Sequence, residues 1–455
     1  LVLAALAYAI SLVIPDVLYN WDHDAGYYLS RSMWIARGLR PWIDYSEVYT
    51  PFVMILNAIP MALGLPPIAA SAALTYAWIA ANAVGTYALA RAWSAGRLLA
   101  VALTAFYLIF QWDNQGTHVT LEHGLTFFTI LSLIQIRKSK TPRGIFISGV
   151  FAGLAFFSKQ VGVITIIPFF ALFFGSPSPL SPKKVAICWF AGYAAVLFAI
   201  FAYVGFSPKV LVEGWLRPFF TFGMTNDWPG YSVIDREMWR SPVTFALLGG
   251  AFVLAGLDLV SKSATLARKL ATISITLTLV LYFLPRIRQD YLHYTLNCWP
   301  FAAILLTYPL GKWSKGRAWL VPLAVTCVGL FNMWTNLPSL NSIGYFSRAQ
   351  APGWVFGFLE PIAKRVRELV PPGSSILVIG EEPMIEFLSG MKPQDLGTEF
   401  LHDYSTYQDL GNLTVLVDHG QAGIAERRTQ LAAKGYHREP FVTAIQPMQV
   451  EIWVK

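Results

Sequence analysis

The sequence predicts an all-α polytopic membrane bundle of about eleven transmembrane helices, with outer interfacial helices and a small C-terminal α/β extracytoplasmic domain. Three observations predict it. Hydrophobic residues make up 55% of the 455 residues and charged residues only 13%, with a mean hydropathy of +0.50. That composition lies outside the soluble globular range. Apolar runs of about 16–24 residues recur through the first three quarters of the chain, close to the roughly 20 residues a helix needs to cross a bilayer. The basic residues gather between those runs as Arg91/Arg97, Arg137/Lys138/Lys140/Arg143, Lys183/Lys184, Lys262/Arg268/Lys269 and Lys312/Lys315/Arg317. Short loops rich in Lys and Arg face the cytoplasm.

The elements follow in order. Residues 1–15 lack a small-residue cleavage site of the signal-peptide kind and start at Leu1 rather than Met, so they read as a truncated first span. Further spans are expected near 67–90, 98–113, 121–136, 144–158, 160–175, 185–205, 241–260, 270–285, 294–310 and 318–336. Placing every basic cluster inside puts the N-terminus in the cytoplasm and residues 337–455 outside. The run "PFVMILNAIPMALG" at 51–64 is about 14 residues long, short for a span. Counting it as one would move Arg91 and Arg97 outside. It reads as a helix lying at, or dipping into, the outer interface. The chain thus divides into a membrane domain, 1–336, whose first outer loop is 16–66, and an extracytoplasmic domain, 337–455.

The tail changes character. "GSSILVIGEEPMIEFLSG" reads as a buried-type strand, a turn and a helix start; "NLTVLVDHG" is another strand, and "VTAIQPMQVEIWVK" is an alternating hairpin. "VIGEEP" is not the GxGxxG pattern and implies no nucleotide. The tail's work is either to bind an acceptor or partner, or to cover the outer surface. From residue 337 acidic residues outnumber basic ones by 13 to 10, leaving 24 basic against 13 acidic residues in the membrane part. Those basic residues are dispersed between spans, which excludes the patch a nucleic-acid binder needs. Cys188, Cys298 and Cys327 all lie in apolar runs, without the spacing of a disulfide framework or a metal site.

On this topology all acids before residue 337 except Asp258 map outside, suggesting a solvated vestibule. The densest group lies in "NWDHDAGYYLSRSMWIARGLRPWIDYSEVYTP", with Asp22, Asp24, Asp44 and Glu47. Its segment "GYYLSRSMWIARG" suits an amphipathic interfacial helix. Carboxylates at a membrane boundary can act as general bases, because partial desolvation raises their pKa. Loop solvation, or a divalent cation held by Asp22 and Asp24, are the competing readings.

Three more features fall on the same side. "QWDNQGTHVTLEHG" brings His118, Glu122 and His123 together, either as a loose metal-like cluster or as a polar helix cap. Lys159 stands between two spans of about 16 residues. Its ammonium therefore either sits at depth with an anionic partner or snorkels to the interface. "FLPRIRQDYLHYTLNCWP" puts Arg286, Arg288, His293 and Tyr294 at the outer end of a span, against the inside bias for positive charge. A phosphate would explain them, since guanidinium groups clamp phosphate bidentately. Pairing with Asp290 or with lipid headgroups would explain them too. Carboxylates, cations and apolar surroundings together fit a polyprenyl-phosphate-linked sugar, whose phosphate leaves while an acceptor hydroxyl gives up its proton.

The stretch "HDAGYYLSRSMWIARGLRPWIDYSEVYTP" resembles the GT-C integral-membrane glycosyltransferases, especially the protein mannosyltransferase and aminoarabinose transferase branch. It is similar to that family's acidic residue, Gly-Tyr-Tyr-like helix, Gly-x-x-Pro-aromatic-x-Asp turn and Pro-containing return. "GVFAGLAFFSKQVGV" and "RIRQDYLHYTLNCWPF" are weaker echoes. The resemblance implies Asp24 as catalytic base, matching the first acid of the family's Asp-Glu pair. Ala25 replaces the second acid, and Asp22 would compensate. It implies Glu47 as an acceptor or sugar contact, Lys159, Arg286, Arg288 and His293 as ligands of the lipid phosphate, and Asp44, Glu122, His123 and Tyr294 as further substrate-binding residues. Inverting single displacement is implied, in a branch where several members need no metal, so the cofactor is either none or a divalent cation. The partners implied are a polyprenyl-phosphate sugar donor, a glycan, lipid or protein acceptor, and membrane lipids, with the site outside the cell's inner or plasma membrane. A transporter or flippase of lipid-linked sugars is the rival reading. It predicts internal repeats and helices broken at the midplane, and the sequence has no clear repeat.

Overall fold

The computed structural model describes residue 10, residues 23–307 apart from 46, 66, 114–119, 170–179, 218–241, 263 and 289–291, and residues 359–455 apart from 372–373, 380–384, 386–387, 394–412, 419–423 and 446–447. The expected spans at 1–15 (Ile10 apart) and 318–336 lie outside these residues, as does Cys327.

Helix α1 (His23–Ala36) opens the described chain and ends at Gly38, whose φ of 92° suits a residue without a Cβ. Helix α2 (Phe52–Ala62) occupies the short apolar run. At 1.5 Å per residue its 11 residues reach about 16 Å, half of a bilayer's hydrocarbon core. The expectation of a non-crossing helix fits that length. It buries Val53, Met54, Asn57 and Ala58 and leaves Ile59 exposed, as is Leu63 just past its end.

The bundle proper comprises α3 (Pro67–Ala92), α4 (Arg97–Asp113), α5 (Leu121–Lys138), α6 (Pro142–Ser158), α7 (Pro182–Tyr203), α8 (Pro242–Val260) and α9 (Leu266–Arg288). Each coincides with an expected span. Helix starts follow local chemistry: Thr141 caps α6 through the Gly144 N–H, Ser181 caps α7 through the Lys184 N–H, and proline stands in the first turn of both. Among the described residues, only Pro182–Tyr203 and Leu266–Phe283 are both long and apolar enough to cross a bilayer by themselves. The inner helices trade apolar length for buried polar residues. On α3 and α5, Ser71, Thr75, Asn82, Thr86, Glu122, His123, Thr126, Thr129 and Ser132 are all buried. Polar groups at membrane depth belong in the bundle interior, where a neighbour can bond them. Ser132 and Ser148 do this across α5 and α6, each hydroxyl donating to the other's carbonyl at 2.9 Å.

Close helix approach is written in glycine. A Cβ on Gly149 of α6 would lie 2.0 Å from the Trp189 carbonyl oxygen, and one on Gly192 of α7 2.0 Å from that of Phe146. The two helices therefore touch backbone to backbone.

Two spans depart from the continuous helices expected. Gln160–Thr165 is a 3₁₀ turn, because Lys159 is extended at φ −156°, ψ 135° and breaks the path from α6. Leu292–Cys298 is likewise 3₁₀ before the chain turns α-helical as far as Thr307.

The C-terminal part contains α10 (Glu360–Leu369), α11 (Ile424–Ala433) and strands β1 (Ser375–Ile379), β2 (Lys392–Pro393), β3 (Leu413–Asp418), β4 (His437–Ile445) and β5 (Met448–Val454). They form one sheet ordered β2-β1-β3-β5-β4, parallel on the β2–β1–β3 side and antiparallel from β3 onward. Strands occur in all three stretches where the sequence predicts them. One face buries Leu377, Leu416 and Trp453 with Leu431 of α11. The other, with Ile376, Val415 and Ile452, belongs to the same hydrophobic core as the helices. Arg37, just past α1, donates from Nη1 to the Gly390 carbonyl at 2.6 Å.

Candidate active site

Helix α1 and the loop after it build a buried charge cluster. Spacing of three and four puts positions 24, 27, 28 and 31 on one stripe of α1. Tyr27, Tyr28 and Arg31 are buried on it. The Arg31 guanidinium lies over the Trp34 ring at 3.8 Å and the Tyr27 ring at 4.4 Å from their centroids, within cation–π reach of both. Its Nε is 3.3 Å from Glu47 Oε2, with both side chains fully buried. Glu47 Oε1 also accepts the Tyr27 hydroxyl at 2.6 Å and the Tyr49 N–H at 3.1 Å. A carboxylate taken fully out of water needs such a set of donors. Burial, with the Glu47 charge nearby, pushes the neighbouring Tyr45 phenol well above its usual range, so it stays a hydroxyl.

The loop is pinned from outside as well. The Glu47 N–H donates to the Gly214 carbonyl at 2.9 Å, and the Trp42 indole N–H to the Glu47 carbonyl at 3.1 Å. Trp42 stacks on Trp215 at 5.0 Å and holds a left-handed φ of 68°. A Cβ on Gly214 would meet the Trp42 carbonyl oxygen at 2.4 Å, so only glycine permits this approach. Thr50 donates to the Phe156 carbonyl at 3.1 Å and Gln160 to the Val48 carbonyl at 3.2 Å, stitching the loop to the end of α6.

That end carries Lys159. Its ammonium pairs with Glu122 in the first turn of α5, and Thr120 also donates to the Glu122 carboxylate. Lys159 is 5% exposed, so it does not snorkel, and its Nζ is 5.5 Å from the Tyr49 ring centroid. Tyr49 in turn meets Tyr27 and Tyr28 edge-on at 6.1 and 5.8 Å. Two buried ion pairs, Arg31–Glu47 and Lys159–Glu122, thus share one tyrosine. His123 is buried with its Nδ1 3.5 Å from Gln111 Nε2, and its carbonyl accepts from Asn82 at 3.1 Å. Thr126 donates to the Leu296 carbonyl at 3.3 Å, which lays the turn carrying His293 and Tyr294 beside α5, one turn from Glu122.

Asp44 stands apart from this cluster. Its two oxygens take the Arg40 backbone N–H at 2.7 Å and Arg40 guanidinium donors at 3.1 Å, closing an exposed turn. Asp24 lies in the first turn of α1, and Arg286 and Arg288 end α9, but the described side chains do not include theirs or those of His293 and Tyr294. Asp22 and His118 lie outside the described residues. Among the described residues, no group of three or more His, Cys, Asp or Glu side chains is placed to hold a metal ion. The sequence reading passed over Arg31, Tyr27 and Tyr49. The available signal was an arginine seven residues from Asp24, inside an apolar and aromatic stripe.

The architecture is shared, as a fold, with two solved proteins. The chain is similar to ArnT from Cupriavidus metallidurans in its apo state, with a TM-score of 0.60 and 14% identity over 98% of this chain and 96% of that one. The same protein bound to undecaprenyl phosphate matches at a TM-score of 0.59 and 13% identity, over 99% and 97%. The archaeal oligosaccharyltransferase AglB from Archaeoglobus fulgidus, in complex with an inhibitory peptide and a dolichol-phosphate, matches at 0.54 and 13% identity over 96% and 72%. Neither a protein-family pattern nor a curated protein matches the sequence.

Proposed function

We propose that the chain moves a sugar from a polyprenyl-phosphate donor to an acceptor hydroxyl on the outer face of the membrane. The observation that carries this reading is the shared fold over 99% of the chain with a protein whose structure holds undecaprenyl phosphate. AglB, with its dolichol-phosphate, supports the same ligand class on the same fold. The buried polar cluster at the first loop supplies the setting for the chemistry.

The reaction is a single displacement with inversion. The acceptor oxygen attacks the anomeric carbon, and the bond from that carbon to the phosphate oxygen breaks. The polyprenyl phosphate departs with the electron pair, and Asp24 takes the acceptor proton. Arg286 and Arg288 clamp the phosphate, with His293 and Tyr294 beside it. Lys159 adds a positive charge already balanced by Glu122, so the guanidinium groups carry most of the phosphate's neutralisation. Asp22 orients a hydroxyl, or shares a divalent cation with Asp24 if one is used. Glu47, committed to Arg31, Tyr27 and Tyr49, holds the loop. Residues 337–455 form an outer domain over a membrane domain, 1–336.

The test is transfer from a polyprenyl-phosphate hexose to an extracted envelope acceptor. Asp24→Asn keeps the size and removes the base, which lowers the rate about 10²–10⁴-fold. Asp22→Asn lowers it less, and undecaprenyl phosphate binding holds in both. Full transfer by a folded Asp24→Asn protein rejects the base, and a larger loss in Asp22→Asn moves the role two residues upstream.

A further inference from the structure

We infer that Arg31 is a positioning residue for the transfer site, acting through Glu47 and Tyr49 to hold the first turn of α1 against the Lys159–Glu122 pair. This rests on the transfer reaction proposed above. The geometry forms one continuous path. Arg31 lies over two aromatic rings and is paired to Glu47 with both side chains fully buried. Glu47 ties down the Tyr27 hydroxyl and the Tyr49 backbone on its other oxygen. The Tyr49 ring then meets the Tyr28 ring edge-on at 5.8 Å and lies 5.5 Å from the Lys159 ammonium. Position 24 is one helical turn before Tyr27 and Tyr28, so whatever fixes those rings fixes the helix end that carries it.

Stability alone does not account for such a pair. A buried ion pair is often no more stable than an apolar replacement of the same volume. What it supplies is direction. A planar guanidinium paired to Glu47 and set over two aromatic rings restricts the orientation of α1 relative to the loop. A general base has to sit within hydrogen-bond reach of its proton, and a misplacement of about 1 Å can cost on the order of 10²-fold in rate.

The experiment uses the full chain in detergent micelles, with Arg31→Met/Glu47→Gln to remove both charges at similar volume. The first readout is independent of activity. With Cys188, Cys298 and Cys327 replaced by Ala, an Asp24→Cys thiol is labelled with a membrane-impermeant maleimide, with and without the double change. A tenfold or greater change in labelling rate, at unchanged melting temperature, is expected. The second readout is transfer from a polyprenyl-phosphate hexose at fixed acceptor extract, with Asp24 present. Apparent kcat is expected to fall 10- to 100-fold while the donor KM moves less than threefold. Equal labelling rates overturn the inference. So does unchanged kcat, or a loss confined to KM. If the parent chain transfers no hexose yet the labelling rate shifts, the transfer reaction fails while the positioning of α1 stands.

Discussion

Lys159 and Glu122 come from positions 37 residues apart and meet with both side chains buried. A buried pair of this kind is sensitive to losing one partner, because the survivor keeps its charge and loses its compensation, a cost of about 3–5 kcal/mol. Lys159→Met is therefore expected to lower the melting temperature in detergent sharply, and Lys159→Met/Glu122→Gln to recover most of the loss. Equal losses in the single and double variants would show that the two do not act as a pair. At this scale the sequence reached half of the answer. An ammonium between two short spans was legible as an ionisable group at depth, and Glu122 as an outer acid. Their partnership was not, since helix packing, and not spacing along the chain, brings them together. Arg31 was hidden for a similar reason: on an interfacial helix an arginine reads as solvated until the loop carrying Glu47 folds over it.

The helices themselves were legible from run length and flanking charge, and the breaks in them were not. Lys159 interrupts the path between α6 and the 3₁₀ turn through an extended backbone that no apolar run reveals. The α6–α7 contact gives a test at this scale. Gly149→Ala drives a methyl against the Trp189 carbonyl, with overpacking expected to cost about 1–3 kcal/mol. Gly256→Ala in α8 meets nothing within 4 Å and removes a flexible residue from a helix interior. It is expected to be neutral or stabilising by up to about 1 kcal/mol. Thermal unfolding of both proteins in one detergent decides the matter, and equal melting temperatures would refute the backbone contact.

Over the whole molecule, composition sufficed for the class, and short apolar runs with one alternating hairpin sufficed for the C-terminal strands, but neither could show that the sheet shares a core with the helices. That junction depends on Ile376, Val415 and Ile452 facing residues remote in sequence. Orientation rests on the basic clusters and is tested by cysteine accessibility. A cysteine at position 96 is expected to label only from the cytoplasmic side, and cysteines at 116 and 420 only from the outside. Outside labelling at 96 would reverse the path and turn residues 51–64 into a crossing. The most direct measurement is a structure of the full chain with undecaprenyl phosphate. Phosphate density is predicted beside the first turn of α1, between the Lys159–Glu122 pair, the end of α9 with Arg286 and Arg288, and the turn carrying His293. Phosphate at the opposite end of the bundle, or lipid density running from one face to the other as in a transporter, would contradict the assignment of sugar transfer to this site.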